Sequence, residues 1–120
     1  MVEDDPDARA ALQVGLADTY DITAVADGDA ALSILDRHQF DLMLVDVKLP
    51  GAILRELRDG RLSIPTVFAC DTFAFLRIVK QSGASCLMKP MSLAALEAEL
   101  SFAVADGFGV ESPTEPSIER

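Results

Sequence analysis

The chain has 120 residues, half of them hydrophobic, and a net charge of -10. That length supports one ordinary domain with one sizeable core, and the hydrophobic share excludes a disordered chain. The negative field repels phosphate backbones and anionic lipid, which argues against direct nucleic-acid or membrane binding. No apolar run reaches the length of a bilayer span, and acids stand near the start where a signal peptide carries Lys or Arg. The expectation is a soluble, cytoplasmic protein. Its cysteines, Cys70 and Cys86, lack ligand-like spacing and read first as buried thiols rather than as a disulfide framework or zinc site. The strands that carry them should be neighbours, which keeps a thiol switch as the minority reading.

Along the chain, short apolar runs alternate with helical periodicity. Met1-Val2 is the stub of a first strand. Asp5 followed by Pro6 reads as an N-cap and a first helical position, opening a helix through Ala10, Leu12 and Leu16. Tyr20 to Val25 reads as a strand. Asp27-Gly28-Asp29 is a turn into a helix with Ala31, Leu32 and Leu35 on one face. Leu42 to Val45 is a continuous apolar run, as in a strand covered on both faces, and Asp46 ends it. Pro50-Gly51 breaks the chain before a short helix over Ile53 to Leu57. Pro65 opens a strand over Thr66 to Ala69. A helix around Phe75 to Val79 stops at Gly83. Cys86 to Met88 reads as a short strand before Lys89-Pro90, and Ser92 caps a last helix with Leu93, Leu96 and Leu100 on its stripe. Residues 106–120 are rich in Glu, Ser and Pro and read as a disordered tail or linker stub, leaving residues 1–105 as the domain.

Five alternations of strand and helix favour a parallel sheet with helices on both faces. Ligands of such sheets bind beyond the carboxyl ends of the strands. There the sequence places Glu3, Asp4 and Asp5 after the first strand, Asp46 after Leu42–Val45, Cys70 and Asp71 after Thr66–Ala69, and Lys89 after Cys86–Met88. Clustered carboxylates repel one another unless a cation neutralises them. Oxygen ligands of this kind suit magnesium, which binds through one or two carboxylates and keeps several waters. A nearby Lys supplies a point charge for an anion such as phosphate. Acids, metal and Lys together describe a phosphoryl-transfer site, where catalysis is mostly positioning and charge neutralisation.

These residues resemble the receiver domain of response regulators in two-component signalling. The matching stretches are Val2-Glu3-Asp4-Asp5-Pro6 with Arg9, Asp27-Gly28-Asp29-Ala30-Ala31-Leu32, Asp41 to Asp46 followed by Leu49-Pro50-Gly51, Gly83-Ala84-Ser85, and Lys89-Pro90. The resemblance implies a flavodoxin-like α/β fold, doubly wound, with a five-stranded parallel sheet in the order 2-1-3-4-5 and, here, a truncated first strand. It implies that Asp46 is phosphoacceptor and metal ligand, taking a phosphoryl group from a histidine kinase or histidine phosphotransfer protein. Asp4 would bind Mg2+ directly, Glu3 through water, and Lys48 through its backbone carbonyl. Lys89 would contact the phosphoryl group, with Pro90 after a cis bond. The implied module is no enzyme beyond self-catalysed phosphotransfer and slow autodephosphorylation. It would act as a monomer or weak homodimer and signal to a downstream protein.

Two positions depart from the family pattern. Cys70 stands where the family has Ser or Thr, whose hydroxyl bonds the phosphoryl group; a thiol is a weak donor. Cys86 stands where the family has a switching aromatic, three residues before the Lys. The segments after Pro50 and from Cys70 to Gly83 are also short, on the face that the family uses for docking. A degenerate receiver acting as a phosphorylation-independent interaction module is therefore the alternative. A phosphatase with an aspartyl nucleophile is disfavoured, because position 48 is Lys where such an enzyme carries a second acid.

Overall fold

A computed structural model describes residues 1–46, 48 and 51–109, with side chains of the last helix as far as residue 105. The elements in order are β1 (Val2–Glu3), α1 (Pro6–Leu16), α2 (Gly28–Leu35), β2 (Met43–Asp46), α3 (Gly51–Arg58), β3 (Thr66–Cys70), α4 (Phe73–Gln81), β4 (Ser85–Met88) and α5 (Leu93–Gly109). The strands form one sheet in the order β1-β2-β3-β4, and every pairing is parallel. Each crossover carries at least one helix, as parallel pairing requires.

The helices start where local chemistry supplies acceptors for their free N–H groups. The Asp5 carboxylate accepts from the Asp7 amide ahead of Pro6. Asp27 accepts from the Ala30 amide, Thr72 from Phe75 and Ser92 from Ala95. Beyond the end of α4, Gly83 adopts φ +86°, a left-handed conformation that costs glycine little and turns the chain into β4.

Strands β1, β2 and β3 are buried on both faces, and two apolar layers follow from the pleat. Met43, Val45, Phe68 and Cys70 pack on one face with Ala31, Ile53, Leu54 and Val79 of α2, α3 and α4. Leu44 and Val67 face the other way, against Leu16 of α1 and Leu96, Leu100 and Ala103 of α5. Phe68 is wholly enclosed, and its ring meets Phe75 edge-on at 6.2 Å. Burying such a side chain contributes roughly 1.5–3 kcal/mol.

Tyr20–Val25, expected as a strand, meets the sheet at a single parallel bridge, Val2 to Val25. The Glu3 amide donates to the Val25 carbonyl at 3.0 Å and the Val25 amide to the Met1 carbonyl at 2.9 Å. The sheet therefore has four strands among the described residues, with this segment beside β1. Only Val25 of this segment reaches bridge geometry with β1, a strand of two residues. At the other end, α5 continues through Gly109, so residues 106–109, expected in the tail, are helical. The remaining tail, 110–120, and Pro50 of the expected Pro50-Gly51 break lie outside the described residues, while Gly51 opens α3.

Candidate functional site

Parallel pairing brings the ends of all four strands to one edge. Glu3 ends β1 and stands in register with Asp46, which ends β2. Cys70 ends β3, in register with Met88, and Lys89 follows directly. The Lys89 amide donates to the Cys70 carbonyl at 2.7 Å, continuing the ladder by one bond. That bond holds the Lys at the edge, and its ammonium reaches across β3 to form an ion pair with Asp46 Oδ1. The Lys89-Pro90 peptide is cis.

Glu3 is the unusual group. It is only 3% exposed. One oxygen, Oε2, accepts from the Asp5 amide at 3.0 Å; the other, Oε1, is buried with no hydrogen-bond partner. Burial is the main force raising its pKa to about 7; the Asp5 amide opposes this, while neighbouring Asp46 and Asp4 add to it. A buried carboxylate oxygen without a partner carries a desolvation cost, and the natural remedy is a cation or a water bound to one. Arg9 donates to the Glu3 backbone carbonyl at 2.8 Å. That contact fixes the turn from β1 into α1, a role that residue type alone did not show.

For Lys89, burial pulls the pKa down, but the Asp46 hydrogen bond and charge outweigh it, with help from Glu3 and Asp71, so the net direction is upward. The ammonium therefore stays charged and neutralises Asp46, which is 8% exposed. Asp4 and Lys48 are exposed. No group of three or more His, Cys, Asp or Glu is gathered for a metal among the described residues. The donor chemistry of Glu3, Asp4 and Asp46 is nonetheless all oxygen, and the orphaned Glu3 Oε1 fits a hydrated hard cation.

Cys70 and Cys86, expected as separate buried thiols, are instead joined as a disulfide, with Cα atoms 6.6 Å apart. The register explains it. Cys86 lies opposite Phe68 and Cys70 opposite Met88, so both cysteines project from the same face of neighbouring strands.

The chain matches the response regulator receiver domain family over residues 1–101 and belongs to it. Receiver domains serve two-component signal transduction, mostly as non-enzymatic modules, and they generally bind Mg2+ at the phosphorylation site. The particular relatives span several contexts. A CheY-like receiver domain protein from Methanospirillum hungatei superposes with TM-score 0.78 at 19% identity, over 91% of this chain and 94% of that one. The receiver domain of a signal transduction histidine kinase from Syntrophus aciditrophicus gives TM-score 0.74 at 23% identity, over 98% and 94%. A Vibrio cholerae protein named "Probable cyclic di-GMP phosphodiesterase" is 42% identical over 50 residues. That match takes in 42% of this chain and 11% of the relative. The chain thus matches only a small part of that longer protein. No helix among the described residues is long and apolar enough to cross a membrane.

Proposed function

We propose that this receiver module, residues 1–105, accepts a phosphoryl group on Asp46 from the phosphohistidine of a histidine kinase or phosphotransfer protein. The observation that carries this reading is the Asp46–Lys89 ion pair beside Glu3 and its unpartnered Oε1. An Asp46 carboxylate oxygen attacks phosphorus, the N–P bond to the donor imidazole breaks, and an aspartyl phosphate forms. Lys89 moves from the carboxylate to the incoming phosphoryl oxygens and offsets their charge. Glu3, Asp4, Asp46 and the Lys48 carbonyl would hold Mg2+, which supplies further neutralisation of the transferring group. Burial of Asp46 limits water at the acceptor.

The setting that fits this chemistry is the cytoplasm, with the module monomeric or weakly dimeric and a protein as its downstream target. Intact mass after incubation with acetyl phosphate and magnesium tests the reading. The wild type should gain one phosphoryl group, and chelation of magnesium should abolish the gain. Absence of the gain in folded, magnesium-saturated protein contradicts the proposal. One observation favours a second reading: Cys70, in the place of the hydroxyl that contacts phosphate, is tied up with Cys86. That supports a phosphorylation-independent interaction module, which the same experiment separates from the first.

A further inference from the structure

We infer that Cys70 and Cys86 are a reversible redox modification site, whose disulfide clamps β3 to β4 beside Lys89. The inference stands on placement. The cysteines occupy adjacent parallel strands, on one face, two rungs apart in the ladder. Their Cα separation of 6.6 Å lies inside the range that a disulfide spans without backbone movement. Both belong to the apolar layer that holds Phe68, Phe75 and Val79. One member of the pair, Cys70, accepts through its backbone carbonyl from the Lys89 amide. The disulfide is therefore linked to the segment that carries the ammonium.

Accessibility orders the chemistry. Cys70 is fully buried, whereas Cys86 is partly exposed. Thiol–disulfide exchange with a low-molecular-weight disulfide such as oxidised glutathione therefore starts at Cys86. Its thiolate, formed by loss of a proton, attacks one sulfur of the small disulfide. The S–S bond breaks, and one glutathione leaves as a thiol. Cys70 then attacks the protein-side sulfur of the mixed disulfide, and the second glutathione leaves. Two protein thiols have been oxidised by two electrons, and one small disulfide has been reduced to two thiols. Reduction by excess glutathione reverses both steps. In a reducing compartment such a pair cycles rather than serving as a permanent staple.

The consequence for the site rests on the proposed function; the redox chemistry does not. In the oxidised form Cys70 has no hydrogen to donate toward a phosphoryl group, and Cys86 cannot move independently of β3. Reduction restores a weak S–H donor at position 70 and frees β4, whose every residue is only half buried. The redox state of the pair thus sets how the module holds and reads its phosphoryl group.

The test equilibrates the whole chain in glutathione buffers from fully reduced to fully oxidised, quenches with acid, alkylates with N-ethylmaleimide and reads intact mass. One transition is expected, from a doubly alkylated chain to an unalkylated monomer lighter than the reduced protein by two hydrogens. Cys70→Ser should accumulate a glutathione adduct at Cys86, and Cys86→Ser should resist adduct formation at buried Cys70. Two freely alkylated thiols across the whole range, or disulfide-linked dimers, would overturn the inference. Hydrogen exchange supplies a second readout. Amides of Ser85–Lys89 should exchange several-fold more slowly in the oxidised wild type, and unchanged exchange would overturn the clamp. Finally, the reduced form should keep an aspartyl phosphate several-fold longer than the oxidised form. Equal lifetimes sink the regulatory link. Failure of both forms to accept phosphate, with the disulfide transition intact, removes the proposed function and leaves the redox pair standing.

Discussion

The two halves of the site are built on different foundations. Asp46 ends β2, and Cys70 ends β3; every residue of both strands is buried. Lys89 follows β4, at the sheet's far edge, where every residue is only half buried. The acceptor and Cys70 therefore stand on a buried core, while the cation and Cys86 stand on a margin. The acceptor position depends on tight packing, and the cysteine pair bridges core and margin, with Cys70 on β3 and Cys86 on β4.

The comparison can be broken most severely from the core side. Phe68→Ala should cost about 3–5 kcal/mol in chemical denaturation, the usual penalty for removing an enclosed aromatic. Leu87→Ala on the half-buried strand should cost less than half as much. Equal losses would mean that the margin is as tightly built as the centre. Next in size is Lys89→Ala. It leaves the strands in place but removes the charge that meets the phosphoryl group. It should slow phosphorylation by acetyl phosphate by about 10²–10³-fold, by analogy with loss of a single oxyanion donor. A stopped-flow or quenched time course reads this directly, and an unchanged rate would take Lys89 out of the chemistry.

A smaller effect sharpens the comparison through pH. The Glu3 pKa is raised to about 7, chiefly by burial, above the 4.5 of an unperturbed Glu. The folded state thus holds this proton more tightly than the unfolded state. Without metal, the contribution of Glu3 to stability is fully present below the unfolded value and is lost as pH rises from 4.5 toward 7. Magnesium competes with the same proton, so its affinity should fall as pH drops below 7, approaching about tenfold per unit for a single proton. Isothermal titration at pH 6 and pH 8 checks the direction, and Glu3→Gln should flatten the dependence. The smallest effect is Ser92→Ala, which removes the cap on the Ala95 amide. It should lower thermal stability by about 1 kcal/mol, without altering phosphoryl acceptance.

Much of this was legible in the residues. The unbroken run Leu42–Val45 announces a strand covered on both faces, and Asp46 at its end follows from it. Asp5-Pro6, Asp27 and Ser92 announce helix starts through their capping chemistry. The strand-ending places of Glu3 and Lys89 sufficed to put them at one edge with Asp46. Three features were not legible, each because it depends on a partner. Tyr20–Val25 has strand-like residues, but pairing needs a neighbour in register, and only Val25 bridges to β1. The cysteine pair depends on the register that sets Cys86 opposite Phe68; one residue of slip would turn it to the other face. The orphaned Glu3 Oε1 depends on the depth of the β1 end, which composition does not encode.

The most direct test of the central claim locates the phosphoryl group chemically. Reduction of phosphorylated protein with borohydride converts an aspartyl phosphate to homoserine, and tandem mass spectrometry of the digest finds it. The account predicts homoserine at position 46 and nowhere else, dependent on magnesium and absent in Asp46→Asn. Homoserine at Asp4 or Asp71, or none in protein that binds magnesium, would contradict it.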